Sequence, residues 1–266
     1  MPAARVWVTG ASQGIGRACA ERFAIDGAAL ALCARRPGPL QQAARALEEA
    51  GASRVLATTA DVADREAVNR FASEALEALG GCDVLVHNAG GGGPGGVLDP
   101  DDEAFEADWR YAFDVNVMAA ARLARSASNA LRESKGVIVL VSSAWRQRPG
   151  SEMPASYGAA KAALDDLTGS LAREFGPHGV RVVGIAPGPI WTETWETELQ
   201  EQAETSSQAV EALRDAVIAE AGGATALGRP GTMAEVARAI HWAAGPEASY
   251  LTGTTLVVDG GFVAGT

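Results

Sequence analysis

The sequence predicts an open α/β fold: a doubly wound parallel sheet of about seven strands with helices on both faces. Three observations carry this prediction. Short runs rich in β-branched residues alternate with alanine-rich stretches of helical character along the 266 residues. Several of the runs, such as 137–141, are apolar throughout, as strands covered on both faces are. A glycine-rich turn joins the first run to the first helical stretch.

Taken in order, the first strand is 5–9 (Val6-Trp7-Val8), and the helix 15–25 follows the glycine turn. The apolar run 28–34 gives a second strand, the alanine-rich stretch 40–50 a second helix, and 54–59 a third strand. Helix 65–79 leads to strand 83–87, and one long helix over 102–134 leads to strand 136–142. Helix 156–175, strand 180–186, helix 233–244 and strand 254–258 complete the alternation. No repeat and no Pro/Ser-rich linker divides the chain, which predicts a single domain over 1–266. Two segments break the pattern. The stretch 90–96 is dense in glycine and is predicted as loop, and 192–226 is a long insertion before the last helix. Within it Trp195 and Leu199, then Val210, Leu213 and Val217, recur at helical spacing. This predicts two short amphipathic helices, acting as a lid or standing as permanently ordered surface helices.

Composition narrows the function classes. A net charge of −11 argues against a binder of nucleic acid or of an anionic membrane surface. Eight acidic residues against one base, Arg214, lie between Glu193 and Glu220, so most of that charge belongs to the insertion. It reads as a solvated helix face, or as a field that disfavours acidic partners such as an acyl carrier protein. Cys19, Cys33 and Cys82 form neither a CxxC pair nor a Cys/His cluster, which predicts no metal site and a reducing, cytoplasmic setting. No apolar signal region is visible, and no apolar run approaches the ~20 residues of a membrane span.

The turn Thr9-Gly10-Ala11-Ser12-Gln13-Gly14-Ile15-Gly16 sits at the first strand–helix junction. Glycines there allow a tight turn and a close approach of a pyrophosphate to the N–H groups of a helix N-terminus, as in Rossmann-type folds. Tyr157 and Lys161 lie four apart at the start of a predicted helix and so share a face. An ammonium near a phenol lowers the phenol's pKa, which suits a general acid/base acting on a hydroxyl or carbonyl. Ser142 and Ser143 end the fifth strand, on the side of the sheet where ligands bind. Asn116 lies within an apolar helical stretch, as a satisfied core amide or a polar link to a lysine through water.

Together these motifs resemble the short-chain dehydrogenase/reductase family over nearly the whole chain. Gly10–Gly16 resembles its cofactor loop, Asn88-Ala89-Gly90 the motif after its fourth strand, and Asn116, Ser143, Tyr157 and Lys161 its catalytic tetrad. Pro187, Gly188, Ile190 and Thr192 resemble its nicotinamide-side loop, and 251–261 its C-terminal strand and turn. The resemblance implies that Tyr157 exchanges a proton with the substrate oxygen and that Ser143 orients the carbonyl. Lys161 would tune Tyr157 and hold the nicotinamide ribose, and Asn116 would hold a water that links Lys161 to solvent. Two departures stand out. His87 replaces an asparagine and reads as a packed neutral imidazole, and Ser143 precedes Tyr157 by fourteen residues, one more than usual.

An acidic residue at the end of the second strand would select NAD(H). Ala34 stands there instead, followed by Arg35 and Arg36, which predicts NADP(H), with NAD(H) the alternative. By the resemblance, Asp61 and Val62 contact the adenine. Trp145, Met153, Trp191 and Trp195 are candidate walls of the substrate pocket, or core or interface residues. The implied activity is hydride transfer between nicotinamide and a ketone or secondary alcohol, as a ketoreductase of secondary metabolism or of 3-oxoacyl thioesters. The alternatives are a non-catalytic nucleotide-binding regulator and a lyase or isomerase on the same fold. The family's habit implies a homotetramer, or a homodimer, built through helices matching 102–134 and 156–175.

Overall fold

The computed structural model describes residues 4–93, 97, 101–148, 153–206 and 208–263. In chain order the elements are β1 (Arg5–Thr9), α1 (Gly14–Ile25), β2 (Ala29–Ala34), α2 (Pro37–Glu49), β3 (Arg54–Thr59), α3 (Arg65–Leu79) and β4 (Val84–His87). Then come α4 (Asp102–Phe113), α5 (Ala119–Ser134), β5 (Val137–Val141), α6 (Ala155–Phe175), β6 (Arg181–Pro187) and β7 (Ile190–Trp191). The chain continues through α7 (Glu193–Ser206), α8 (Val210–Gly223), β8 (Gly231–Thr232), α9 (Met233–Ala244) and β9 (Thr254–Val258).

Seven strands form one parallel sheet in the order β3-β2-β1-β4-β5-β6-β9. Alternate residues of a strand serve opposite cores. Ile138 and Leu140 of β5 pack with α3, α5 and α6, whereas Val139 and Val141 join the core that holds residues of α1, α2 and α9. The inner strands are therefore covered on both faces and read as apolar runs, while β3 and β9, at the edges, are partly exposed. Strand order reverses at β1, which pairs with β2 on one side and β4 on the other. A crevice opens outside the carboxyl ends of the strands at such a reversal, and the turns after β1 and β4 border it.

Local chemistry accounts for the element ends. Asp64 caps α3 by accepting from Glu66 N–H, and Gly80, at φ 70°, ends it. Thr232 and Glu235 form a reciprocal capping box at the start of α9. Helix α2 starts at Pro37, three residues before the expected start, because proline fits the first turn of a helix. The long helix expected over 102–134 is instead α4 and α5 separated by a π-helical turn, Asp114–Met118. The insertion does contain two helices, α7 and α8. The short parallel pair β7–β8 beside it was not foreseen, since two-residue strands carry no periodicity.

Candidate active site

The turn after β1 is held by the turn after β4. Thr9 Oγ1 accepts from the N–H groups of Asn88 (3.1 Å) and Ala89 (3.0 Å). In return, Asn88 Nδ2 donates to the carbonyls of Thr9 and Gly10. Gly10 and Gly14 adopt φ values of 66° and 61°, which favour glycine. A Cβ on Gly16 would collide with the Gly10 carbonyl oxygen and Asn88 Nδ2, so this glycine permits the close packing of helix on turn. Gln13, the capping residue of α1, makes no cap bond with its own side chain. The N–H groups of this helix start face the cleft, with Ser12, Gln13 and Ile15 along the wall.

The same cleft runs past Ala34, Arg35 and Arg36 and is bordered by Asp61, Val62 and Ala89. Arg35 Nη1 donates to the Tyr111 hydroxyl at 3.0 Å, and Arg36 Nη2 donates to Gln13 Oε1. No carboxylate stands at the end of β2. The N–H groups of a helix N-terminus, turn glycines and two guanidiniums fit a dinucleotide with an extra phosphate on its ribose. Gly14 N–H donates to Oε2 of Glu193, the first residue of α7, at 3.0 Å.

A second recess opens beside this cleft, and the two share Ile15, Asn88, Gly90, Thr192 and Thr194. Tyr157 and Lys161 reach it from the first turns of α6, and Ser143 from just beyond β5. Both the Ser143 hydroxyl and the Tyr157 phenol line this recess. The nearby hydroxyl favours the phenolate, but burial outweighs it and raises the phenol above its ordinary value. The simple expectation that Lys161 lowers the Tyr157 pKa is therefore corrected. The Lys161 ammonium lies 5.6 Å from the centre of the Tyr157 ring and donates to the Val141 carbonyl at 2.8 Å. Burial pushes Lys161 itself down to about 7. Ser142 is occupied elsewhere, donating to the Lys161 carbonyl at 3.1 Å and so fastening β5 to α6. The longer Ser143–Tyr157 spacing is absorbed in the intervening loop. Ser143 caps a short 3₁₀ turn, Ala144–Arg146, and Arg146 is bonded to Asp165 of α6. Residues 149–152 of that loop lie outside the described residues, as do 94–96 of the glycine-dense segment.

Asn116 sits fully buried in the π-helical turn. Its Nδ2 donates to the carbonyls of Ala112 and Gly91, both at 2.7 Å, and Oδ1 has no partner among the described residues. A Cβ on Gly90 would lie 2.6 Å from Asn116 Oδ1 and 2.8 Å from Lys161 Nζ, so the bare glycine lets these two polar atoms converge. His87 supports the same turn. Its Nε2 meets the Val115 carbonyl at 3.1 Å and its Nδ1 meets Thr9 Oγ1 at 3.1 Å. A carbonyl only accepts, so Nε2 carries the proton and Nδ1 accepts from the Thr9 hydroxyl. Burial and the nearby Lys161 hold the imidazole neutral, with its pKa at about 3.

Trp145, Met153 and Trp195 line the recess with Pro187, Gly188 and Ile190. Trp191 does not. It stands edge-on behind Trp195, 5.4 Å between ring centres, and donates to Glu196 at 3.0 Å. Glu196 also accepts from Arg214 of α8 at 2.8 Å, so Trp191 braces the wall from behind and α7 is tied to α8. Sequence reasoning missed Thr194 and Glu198, which line the recess, and Phe262, whose ring packs 4.8 Å from that of Trp145. The position of Thr194 and Glu198 near the start of the insertion was the available signal. Phe262 had none, because it arrives from the far end of the chain.

A family model described as enoyl-(acyl carrier protein) reductase matches residues 10–263. The short-chain reductase protein NovJ of Streptomyces niveus is 36% identical over 96% of this chain and 92% of its own length. The crystal structure of L-sorbose reductase from Gluconobacter frateurii, complexed with NADPH and L-sorbose, superposes with a TM-score of 0.90 at 32% identity, covering 100% of this chain and 98% of that one. A short-chain dehydrogenase from Burkholderia cenocepacia in complex with NADP gives 0.84 at 32% identity, covering 99% of each chain. The match runs almost end to end in sequence and in structure, and the chain belongs to the short-chain dehydrogenase/reductase family of NAD(P)-dependent oxidoreductases.

Proposed function

We propose that the protein is an NADP(H)-dependent carbonyl reductase that acts on a neutral ketone, or on the matching secondary alcohol in reverse. The observation that carries this reading is the convergence of Ser143, Tyr157 and Lys161 in a recess continuous with the dinucleotide cleft. The α1 N-terminus and Gly10–Gly16 would hold the pyrophosphate, Arg35 and Arg36 the 2′-phosphate, and Asp61 and Val62 the adenine. Asn88, Ala89, Gly90, Pro187, Gly188, Ile190 and Thr192 would border the nicotinamide half. Bound there, the nicotinamide supplies the hydride.

The chain's own task is proton transfer and orientation. Burial keeps the Tyr157 phenol protonated at neutral pH, as the acid for a carbonyl being reduced must be. Ser143 lines the recess with that phenol and would present its hydroxyl to the same carbonyl oxygen. Lys161, near 7, can lend or take a proton beside Tyr157, and Asn116 Oδ1 faces the same spot. Trp145, Met153 and Trp195 give the recess apolar walls on one part, Ser143, Thr192 and Thr194 give it neutral polar groups, and Glu198 adds one carboxylate. These walls favour an uncharged substrate, and the acidic insertion, acting as a lid, disfavours an acyl-carrier-bound one. The NADPH and L-sorbose of the structural relative support a polyhydroxy ketone as one substrate class.

We also place the protein in the cytoplasm as a homotetramer or homodimer. Cys19, Cys33 and Cys82 are buried free thiols, and among the described residues no helix is long and apolar enough to cross a membrane. Helix α4 buries only Ala112, yet carries Phe105, Trp109 and Phe113 along one side with successive ring centres 6.0 and 6.3 Å apart. A panel of ketoses, aliphatic and aryl ketones and 3-oxoacyl thioesters, followed by NADPH absorbance, tests the reading. Turnover of a neutral ketone with NADPH well ahead of NADH supports it. NADPH binding with no turnover of any carbonyl overturns it.

A further inference from the structure

The α1 N-terminus, open to the cleft, is met by a carboxylate of the chain itself. Glu193, the first residue of α7, places Oε2 3.0 Å from Gly14 N and accepts its hydrogen bond. Gly14 is the first residue of α1 and lies in the turn whose donors would face a pyrophosphate. A second contact stands beside the first. Gln13 Nε2 donates to Thr194 Oγ1 at 3.3 Å, while Gln13 Oε1 accepts from Arg36. Both contacts therefore join the start of the insertion to residues of the dinucleotide cleft. One reaches the helix N-terminus, and the other runs through Gln13 to a guanidinium at the 2′-phosphate end.

We propose that Glu193 is an internal competitor for the cofactor's pyrophosphate, and that the insertion is latched to the cleft through it until the dinucleotide displaces it. This rests on the assignment of the cleft to NADP(H). The physical argument is short. A backbone N–H at a helix N-terminus attracts an anion, whether carboxylate or phosphate, and one N–H donates one strong bond. Pyrophosphate at that N–H leaves Glu193 without its donor and beside like charge. The displaced carboxylate then repels the bound phosphates, which weakens binding and speeds release. Loading the Arg36 end draws the guanidinium from Gln13 and loosens the second contact in the same event. Glu193 thus sets both the affinity and the exchange rate of the cofactor, although it takes no part in hydride or proton transfer.

Glu193→Gln keeps the size of the side chain and removes its charge, and Glu193→Ala removes both. Glu201→Gln makes the same charge change on the exposed side of α7, away from the cleft, and serves as the electrostatic control. Equilibrium binding of NADPH and of adenosine 2′-monophosphate, which lacks a pyrophosphate, is measured by titration calorimetry, and NADPH release by stopped-flow fluorescence. Both Glu193 variants are expected to bind NADPH about tenfold more tightly and release it more slowly. Adenosine 2′-monophosphate binding should be unchanged in both, and Glu201→Gln should match the parent. Unchanged or weaker NADPH binding in both Glu193 variants overturns the proposal. An equal gain in Glu201→Gln, or an equal gain for adenosine 2′-monophosphate, also overturns it, since general charge would then be the cause. A parent protein that binds no NADP(H) fails at the earlier step, the assignment of the cleft itself.

Discussion

Replacing His87 by leucine tests how the π-helical turn is held. The imidazole is buried, links β1 to the turn that carries Asn116, and is neutral across the working pH range, with its pKa at about 3. Leucine refills most of the space but leaves the Val115 carbonyl without this donor and the Thr9 hydroxyl without its acceptor. Thr9 Oγ1 keeps the two N–H groups it accepts from, so the main loss is one buried carbonyl bond. An unsatisfied buried acceptor costs about 1–3 kcal/mol. Taking about 2 kcal/mol, the Tm should fall by about 4–8 °C for a chain of this size. Val115 precedes Asn116, so kcat should drop about tenfold while NADPH affinity holds. His87→Asn, which keeps a donor and an acceptor, should recover much of both losses. Calorimetric melting and steady-state kinetics read the two effects. A leucine variant with unchanged Tm and kcat refutes the bracing role. So does an activity titration near pH 6.5 that vanishes with the imidazole, because it would mean that His87 ionises.

Other perturbations address other parts of the account. Arg35→Ala should weaken NADPH binding by about ten- to a hundredfold, the loss of a charge-assisted phosphate bond, with NADH binding unchanged. Equal effects on both cofactors would remove Arg35 from the 2′-phosphate site. Lys161, at about 7 in the fold against 10.5 for a free lysine side chain, binds fewer protons when folded than when unfolded over that interval. Its contribution to stability therefore rises with pH from about 7, by at most about 1.4 kcal/mol per pH unit, until the unfolded amine also loses its proton. Denaturant titrations between pH 7 and 9 should show this rise in the parent relative to Lys161→Met, and parallel curves would contradict it. Trp109→Glu, at the centre of the α4 aromatic stripe, should shift the protein to a smaller assembly in light scattering, and an unchanged mass would remove α4 from the interface.

Much of this was legible in the sequence because the informative features are local. Continuous apolar runs marked the inner strands such as β4 and β5, which are buried on both faces, while the partly exposed edge strands β3 and β9 were marked by their β-branched residues. Turn glycines and the Tyr157–Lys161 spacing marked the two sides of the site, since backbone approach and helix periodicity act over a few residues. What escaped depends on contacts distant in sequence. Besides the local bond of Asn116 to the Ala112 carbonyl, the π-helical turn is held by His87 and Gly91, 28 and 25 residues away from their partners Val115 and Asn116. Trp191 is separated from the recess by Trp195 only in three dimensions. The acidic insertion read as a solvated face, yet Glu193 and Glu196 are engaged with Gly14, Trp191 and Arg214. The Tyr157 pKa went the other way because burial, invisible in a motif, outweighs the nearby Ser143 hydroxyl.

The central claim is that Tyr157 delivers the proton in an NADPH-linked carbonyl reduction. The direct measurement is single-turnover oxidation of bound NADPH by an active ketone, in the parent and in Tyr157→Phe, with NADPH affinity measured on the same samples. The account predicts that Tyr157→Phe binds NADPH with near-parental affinity and loses at least about a thousandfold in rate, the range a positioned acid contributes. A phenylalanine variant that oxidises NADPH at a rate close to the parent's would contradict it.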